Sequence, residues 1–145
     1  MFSTEHLNIE CSDENLYPSR AHLGDGGLDL RSSQEFVLMP MQSHLIPTGI
    51  KAEIPLGYVG LLFSRSGMAK VGVTLANSVG VIDHSYRGEI KAYLVNNGTN
   101  PFHIHYGDRI AQLVIVPCLT AGFNLVAKVS DTERGENGFG STGKA

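Results

Sequence analysis

The chain has 145 residues, of which 42% are hydrophobic and 17% charged, and its net charge is −3. These values fit one globular domain and argue against a disordered chain. The basic residues are scattered and the apolar runs are short, so neither a nucleic-acid surface nor a membrane span is expected. Two distant cysteines, Cys11 and Cys118, favour a reduced intracellular compartment, the cytoplasm, or the host cytoplasm if the source is viral.

Short β-rich runs follow one another along most of the chain. They span residues 36–40, 44–54, 58–64, 72–82, 89–97 and 111–118. Turn residues separate them, and at most one helical turn is expected, near residues 64–72. We therefore predict an all-β sandwich, jelly roll or barrel over residues 1–130. Residues 131–145 are polar and glycine-rich, which is typical of a mobile tail.

Two early motifs carry charges in unusual settings. GDGGLDL places Asp29 between two leucines, where an inward carboxylate is costly unless it is paired or near a cation. SRSG offers Arg65 and Ser66 as donors to an oxyanion, and Gly67 allows backbone N–H groups to approach it. The simpler alternatives are a turn aspartate before a strand and an ordinary polar turn.

ANSVGVIDHSYRGEI is the longest candidate motif. Asp83 ends an apolar run, so a strand would present its carboxylate at a cleft. HSYRG predicts the turn of a β-hairpin whose backbone could pair with a small planar ring, and Gly88 permits a tight return. A plain hairpin, with Asp83 as a turn former, is the alternative.

A later motif, YGDRIAQLVIV, begins with charges and continues as an apolar strand. Gln112 lies within the apolar part, where a buried amide needs hydrogen-bond partners. For Asp108 and Arg109 we predict a structural role at the start of the strand, either a hydrogen bond or a salt bridge.

Taken in order, GGLDLRS, SRSGMA, NSVGVIDHSYRGEI, GDRIAQLVI and RGENGFGSTG resemble the five signature motifs of the trimeric dUTP pyrophosphatases (dUTPases). The resemblance covers about residues 17–144. It implies a jelly-roll homotrimer that hydrolyses dUTP to dUMP and pyrophosphate with Mg²⁺, in active sites shared between subunits. It also implies that residues 131–145 are a flexible lid, and that the enzyme limits uracil incorporation into DNA and supplies dUMP for dTMP synthesis.

The resemblance also implies residue roles. Asp83 is the general base that activates the attacking water, and Tyr86 packs beneath the deoxyribose and leaves no room for a 2′-hydroxyl. Asp29 and Gln112 reach the metal through its bound waters, without a direct protein ligand. The other implied substrate contacts are Asn77, Gly80, Val81, Ile82 and Lys91 around uracil, Arg65, Ser66, Gly67 and Gln112 around the phosphates, and Arg134, Phe139, Gly140, Ser141 and Thr142 in the lid.

Other readings remain beside this one. A dCTP deaminase has the same fold but is expected to carry a catalytic glutamate where this chain has Tyr93, so its proton shuttle would be missing. A non-catalytic interaction protein that kept the trimer is less favoured, because every implied catalytic position is filled. Leu28, Ser64 and the pair Glu136–Asn137 depart from the family pattern, and we expect them to tune packing and lid kinetics.

Overall fold

The computed structural model describes residues 5–143. Within these residues, ten strands are accompanied by one turn of 3-10 helix (Glu14–Leu16) and one turn of α-helix, α1 (Ser66–Ala69). The strands are β1 (Asn8–Glu10), β2 (Leu28–Arg31), β3 (Phe36–Leu38), β4 (Ser43–Glu53), β5 (Tyr58–Phe63), β6 (Val73–Leu75), β7 (Gly80–Ile82), β8 (Ile90–Asn96), β9 (Phe102–Ile104) and β10 (Arg109–Pro117). The predicted all-β fold is confirmed. The first four residues of the predicted domain and the last two of the predicted lid lie outside the described residues.

Two antiparallel sheets form the body of a jelly roll. One sheet has the order β1-β4-β8-β6 and the other β2-β10-β5-β7, and β3 and β9 form a separate ribbon. Alternate residues of the long strands are buried, as in β4 and β8, because successive side chains point to opposite faces of a sheet. The core draws on both sheets and includes Leu30, Leu62, Leu113, Ile46, Ile90 and Leu94. Each such side chain stabilises the fold by about 1.5–3 kcal/mol.

The prediction of a β-hairpin around HSYRG is wrong. β7 pairs with β5, whereas β8 pairs with β4 and β6 in the other sheet. The intervening residues 83–89 therefore cross between the sheets, and this connection is longer than the two to five residues of common hairpin loops. The run at 72–82 likewise contains two strands, β6 and β7, which belong to different sheets.

The N-terminal segment is fixed to the loop that precedes β10. The Tyr106 hydroxyl donates a hydrogen bond to the Asp13 carboxylate, which also accepts one from the backbone N–H of Asn15. The bond from Tyr106 lowers the pKa of Asp13 below its ordinary value, and the same bond raises the pKa of Tyr106. This contact therefore persists at neutral pH, weakens in acid as the Asp13 carboxylate is protonated, and is lost in strong base when the Tyr106 hydroxyl gives up its proton. No helix within residues 5–143 is long and apolar enough to cross a membrane.

Candidate functional site

Three neighbouring strands bring residues from separate motifs into one polar pocket. Gln112 on β10 is paired with Asp29 on β2 on one side and with Phe63 on β5 on the other. Arg65 follows β5 almost directly. The polar pocket is a cavity of about 340 Å³, and its lining includes Asp29, Arg65, Ser66, Gln112 and the loop at residues 25–27. The sheet register explains why these residues meet.

The Asp29 carboxylate holds two arginines at this pocket. Its Oδ1 lies 3.2 Å from Arg65 Nε, and its Oδ2 lies 3.7 Å from Arg109 Nη1. Arg65 also donates through Nη1 to the Arg109 carbonyl oxygen at 3.2 Å. The Asp29 side chain is 13% exposed, so it is partly shielded from water. The two guanidinium groups offer planar sets of N–H donors that suit the oxygens of an anionic ligand.

Arg109 lies beside the polar pocket, where it pairs with Asp29, and the sequence did not predict it as a site residue. The structural contacts predicted at the start of β10 are present: Arg109 forms an ion pair with Asp29, and the Asp108 carboxylate accepts a hydrogen bond from the His105 backbone N–H at 2.8 Å. Asp29, the partner of Arg109, lines the polar pocket. Only the register of β2 against β10 reveals this, because Asp29 and Arg109 are far apart in the chain.

The Gln112 amide has a fixed orientation. Its Nε2 donates to the Ser64 carbonyl oxygen at 3.0 Å. On its other side, a Cβ on Gly27 would overlap Gln112 Oε1, although the backbone of Gly27 is not left-handed. Gly27 is therefore needed for space, and Oε1 faces the loop at 25–27. This partly buried amide was predicted to need a hydrogen-bond partner, and the partner is the Ser64 backbone carbonyl.

The turn after β5 leaves its backbone open. Ser66 and Gly67 are exposed at the start of α1, and a Cβ on Gly67 would meet no atom within 4 Å. Ser64 anchors the turn, because its Oγ accepts a hydrogen bond from the Leu75 backbone N–H at 2.9 Å. The backbone of Gly67 is thus accessible to a ligand beside Arg65.

The edge strand β7 carries a second group of candidates. It pairs with β5 through Gly80, Val81 and Ile82, and among the described residues it is the last strand of its sheet. Its other edge therefore offers backbone N–H and C=O groups to a planar polar ligand. Asn77 precedes this strand, with Nδ2 3.9 Å from where a Cβ on Gly80 would lie.

Asp83 follows β7 directly and is exposed, as predicted for a carboxylate at the end of a strand. Its carbonyl oxygen accepts a hydrogen bond from the Tyr86 backbone N–H at 3.1 Å. The Tyr86 hydroxyl donates to the Glu89 carbonyl oxygen at 2.8 Å, so the ring lies along its own loop. Lys91 is exposed on β8, paired with Pro47 of β4.

Within one chain, Asp83 and the polar pocket lie at opposite ends of the β5–β7 pair. Ile82 is paired with Gly60 and Gly80 with Leu62, so Asp83 continues toward Val59 while Ser64 lies at the other end. The five steps from residue 59 to residue 64 span about 17 Å at about 3.4 Å per step. Within a single chain, the backbones of Asp83 and Arg65 are therefore well separated.

Residues 118–143 follow the last strand and contain no helix or strand. The tail folds only into local turns, in which Arg134 Nε donates to the Asn137 carbonyl oxygen at 2.8 Å and the Ser141 N–H donates to Gly138. Phe139, Gly140, Ser141 and Thr142 are exposed in this chain. None of the predicted lid residues contacts the polar pocket in the hydrogen bonds and ion pairs described for residues 5–143.

Comparisons with known proteins identify the family. The family model for dUTPase matches residues 13–143. The deoxyuridine 5′-triphosphate nucleotidohydrolase of Clostridium kluyveri is 49% identical over 140 residues, covering 96% of this chain and 98% of the relative. The corresponding protein of Clostridium novyi is 46% identical over 139 residues, covering 94% of this chain and 98% of the relative.

Solved structures agree with the sequence comparison. The dUTPase of Staphylococcus bacteriophage 80alpha with dUPNHPP has a TM-score of 0.89 and 33% identity, covering 97% of this chain and 100% of that one. A mutant dUTPase from phage phi11 of S. aureus, with a structural Mg(II) ion, has a TM-score of 0.79 and 30% identity, covering 86% and 98%. The chain belongs to the dUTPase family.

Proposed function

We propose that the protein hydrolyses dUTP to dUMP and pyrophosphate. The observation that carries this proposal is the pair of guanidinium groups, Arg65 and Arg109, that Asp29 holds beside the polar pocket, since such groups bind the oxygens of a triphosphate. The open edge of β7 and the exposed Asp83 supply the other functions that such a reaction needs. The deoxyuridine triphosphate nucleotidohydrolase relatives support the same substrate.

We further propose that the active form is a homotrimer with sites shared between subunits. The distance of about 17 Å between the Asp83 end of β7 and the turn after β5 supports this, because another copy must supply one half of each site. The arm after β10 exposes large apolar side chains in the single chain, and a neighbouring copy would cover them. These side chains are Leu119, Phe123, Leu125, Val126 and Val129.

The uracil half of the site would use β7 and its flanking turns. The backbone at Gly80, Val81 and Ile82 would pair with the polar edge of the base, with the Asn77 amide and a main-chain contact at Lys91 beside it. Thymine is excluded by its additional methyl group, and cytosine by its reversed donors and acceptors, which would leave buried groups unpaired. The Tyr86 ring would lie beneath the deoxyribose.

The phosphate half would use Arg65, Ser66 and Gly67, positioned by the Asp29 ion pair. The tail of a third subunit, residues 131–145, would then close over the bound nucleotide. In it, Arg134 and the Ser141–Thr142 pair would bind the terminal phosphate, Phe139 would stack on uracil, and Gly140 would let the chain approach. Closure excludes bulk water and aligns the reacting groups.

Asp83 would act as the general base. Its carboxylate would take a proton from one water molecule, whose oxygen then attacks the α-phosphorus in line with the departing pyrophosphate. The bond from the α-phosphorus to the bridging oxygen breaks, and dUMP and pyrophosphate remain. A general base of this kind typically contributes about 10²–10⁴ in rate.

The polar pocket fits a hydrated magnesium ion. Gln112 Oε1 and the Asp29 carboxylate are hard oxygen acceptors, and no group of three His, Cys, Asp or Glu side chains suited to a metal occurs within residues 5–143. Mg²⁺ keeps several waters and prefers phosphate oxygens, so these two side chains would hold it through its waters. When bound, it would offset the charge of the triphosphate.

Replacing Gly27 with alanine is expected to weaken this arrangement. The new Cβ would overlap Gln112 Oε1 and force the amide away from the pocket. The measurement is the affinity for a non-hydrolysable dUTP analogue, by calorimetry with and without Mg²⁺. Adding Mg²⁺ should increase this affinity less in the variant than in the unsubstituted protein. Gly26→Ala is the matched control, since its Cβ would meet no atom within 4 Å. An unchanged metal effect in Gly27→Ala would contradict this role for Gln112.

In a cell, this reaction would keep uracil out of DNA and supply dUMP for dTMP synthesis. The enzyme would then work in the cytoplasm, where its substrate is, and the free thiols of Cys11 and Cys118 agree with a reduced compartment. The alternative deaminase activity is disfavoured because position 93 on β8 is a tyrosine, which cannot replace the catalytic glutamate expected there as a proton shuttle.

One assay tests the proposed function. Pyrophosphate release is measured with dUTP, dTTP, dCTP and UTP under the same conditions. We expect rapid release from dUTP and at least about 100-fold less from the other three nucleotides, since each lacks a match to the base or the sugar. Ammonia release from dCTP, or equal turnover of all four nucleotides, would refute the proposal.

A further inference from the structure

Gly88 lies against the ring of Tyr86. A Cβ on Gly88 would be 2.5 Å from Tyr86 Oη, 2.6 Å from Cζ and 3.0 Å from Cε2. The backbone of Gly88 is not in the left-handed region, so its conformation does not require glycine. The missing side chain is therefore needed for space, and the atoms that occupy this space belong to the phenol end of one ring.

The loop around this ring is held by its own hydrogen bonds. The Tyr86 hydroxyl donates to the Glu89 carbonyl oxygen at 2.8 Å, and the Tyr86 N–H donates to the Asp83 carbonyl oxygen at 3.1 Å. Arg87 Nη1 donates to the carbonyl oxygens of His84 at 2.6 Å and Tyr86 at 3.1 Å. Because the backbone is tied on both sides of Tyr86, an added methyl group would displace the ring before it displaced the loop.

We infer that Gly88 is a positioning residue, which sets how far the Tyr86 ring reaches into the space for the sugar of the nucleotide. This inference rests on the proposed role of Tyr86 beneath the deoxyribose. An alanine at position 88 would need the phenol end to move by about 1 Å to restore ordinary contact, since non-bonded carbons pack at about 3.5–4.0 Å. Tyr86 is 44% exposed, so the ring has room only on its open side. That side would be occupied by the sugar.

The test is a double-mutant cycle with Gly88→Ala and Tyr86→Ala, followed by steady-state kinetics with dUTP and UTP. In the otherwise unchanged protein, Gly88→Ala should lower kcat/KM for dUTP by up to about 100-fold, the loss that a misplacement of about 1 Å can cause, with a raised KM as part of it. In the Tyr86→Ala background it should change KM less than about twofold, because the displaced ring is absent. Tyr86→Ala alone should raise turnover of UTP relative to dUTP.

Equal effects of Gly88→Ala in both backgrounds, or an unchanged KM, would overturn the inference. Melting temperature and trimer mass are measured for every variant. If Gly88→Ala alone fails to fold, recovery of folding in the double variant supports the inference, and failure of both variants contradicts it. The unsubstituted protein in the same assay reports on the proposed function separately, since absence of dUTP turnover there would refute the function and not the packing of Tyr86.

Discussion

Replacing Asp83 with asparagine is expected to lower kcat for dUTP by about 10²–10⁴-fold. The asparagine amide has nearly the shape of the carboxylate but cannot accept a proton from water. Asp83 is exposed at the end of β7, and its side chain forms none of the ion pairs described for residues 5–143. The fold should therefore not depend on its charge. The measurement is pyrophosphate release at saturating dUTP, together with the melting temperature.

Nucleotide binding provides the control for this substitution. A non-hydrolysable dUTP analogue should bind the Asp83→Asn variant about as tightly as the original protein, because the uracil and phosphate contacts lie on other residues. Substantial residual pyrophosphate release would show that another group activates the water. Loss of analogue binding along with turnover would instead assign Asp83 to binding.

Ending the chain after Ser130 is expected to reduce dUTP turnover by at least about 100-fold and leave a folded trimer. The truncation removes Arg134, Phe139 and the Ser141–Thr142 pair. The hydrogen bonds and ion pairs described for residues 131–143 stay within the tail and its start, as between Lys128 and Asp131 at 3.1 Å. The core between the two sheets therefore loses none of these contacts.

Mass measurement of the trimer and pyrophosphate assays on the truncated protein check this result. Phe139→Ala in the full chain is the milder companion variant, and it should raise KM for dUTP without changing the trimer. Normal activity of the truncated protein would mean that the tail is not a lid. Failure to form trimers would mean that residues after 130 hold the subunits together.

The long strands could be predicted from the sequence because they are rich in apolar residues, many of them β-branched, that recur along each run. β4, β5, β8 and β10 all lie within about two residues of predicted runs. β1 and β9 could not be predicted, since each is three residues long and includes polar side chains. The run at 72–82 was predicted as one strand because both of its ends are apolar. The polar pair Asn77–Ser78 between them is where the chain changes sheet, with φ of 63° at Ser78.

The sequence allowed the residues of the candidate site to be predicted, but not their positions relative to one another. The motif resemblance named Asp29 and Gln112, but only the register of β2 against β10 places them side by side. Arg109 was missed for the same reason. The separation of Asp83 from Arg65 had no signal in the sequence, because it follows from the pairing of β7 with β5.

The most direct test is a crystal structure of the protein with Mg²⁺ and a non-hydrolysable dUTP analogue. We predict an Asp83 carboxylate oxygen within about 2.6–3.2 Å of a water molecule aligned with the α-phosphorus. We also predict that Arg65 at the same nucleotide comes from a different subunit than Asp83. A nucleotide bound with Asp83 turned away from the α-phosphorus, or one enclosed by a single chain, would contradict this account.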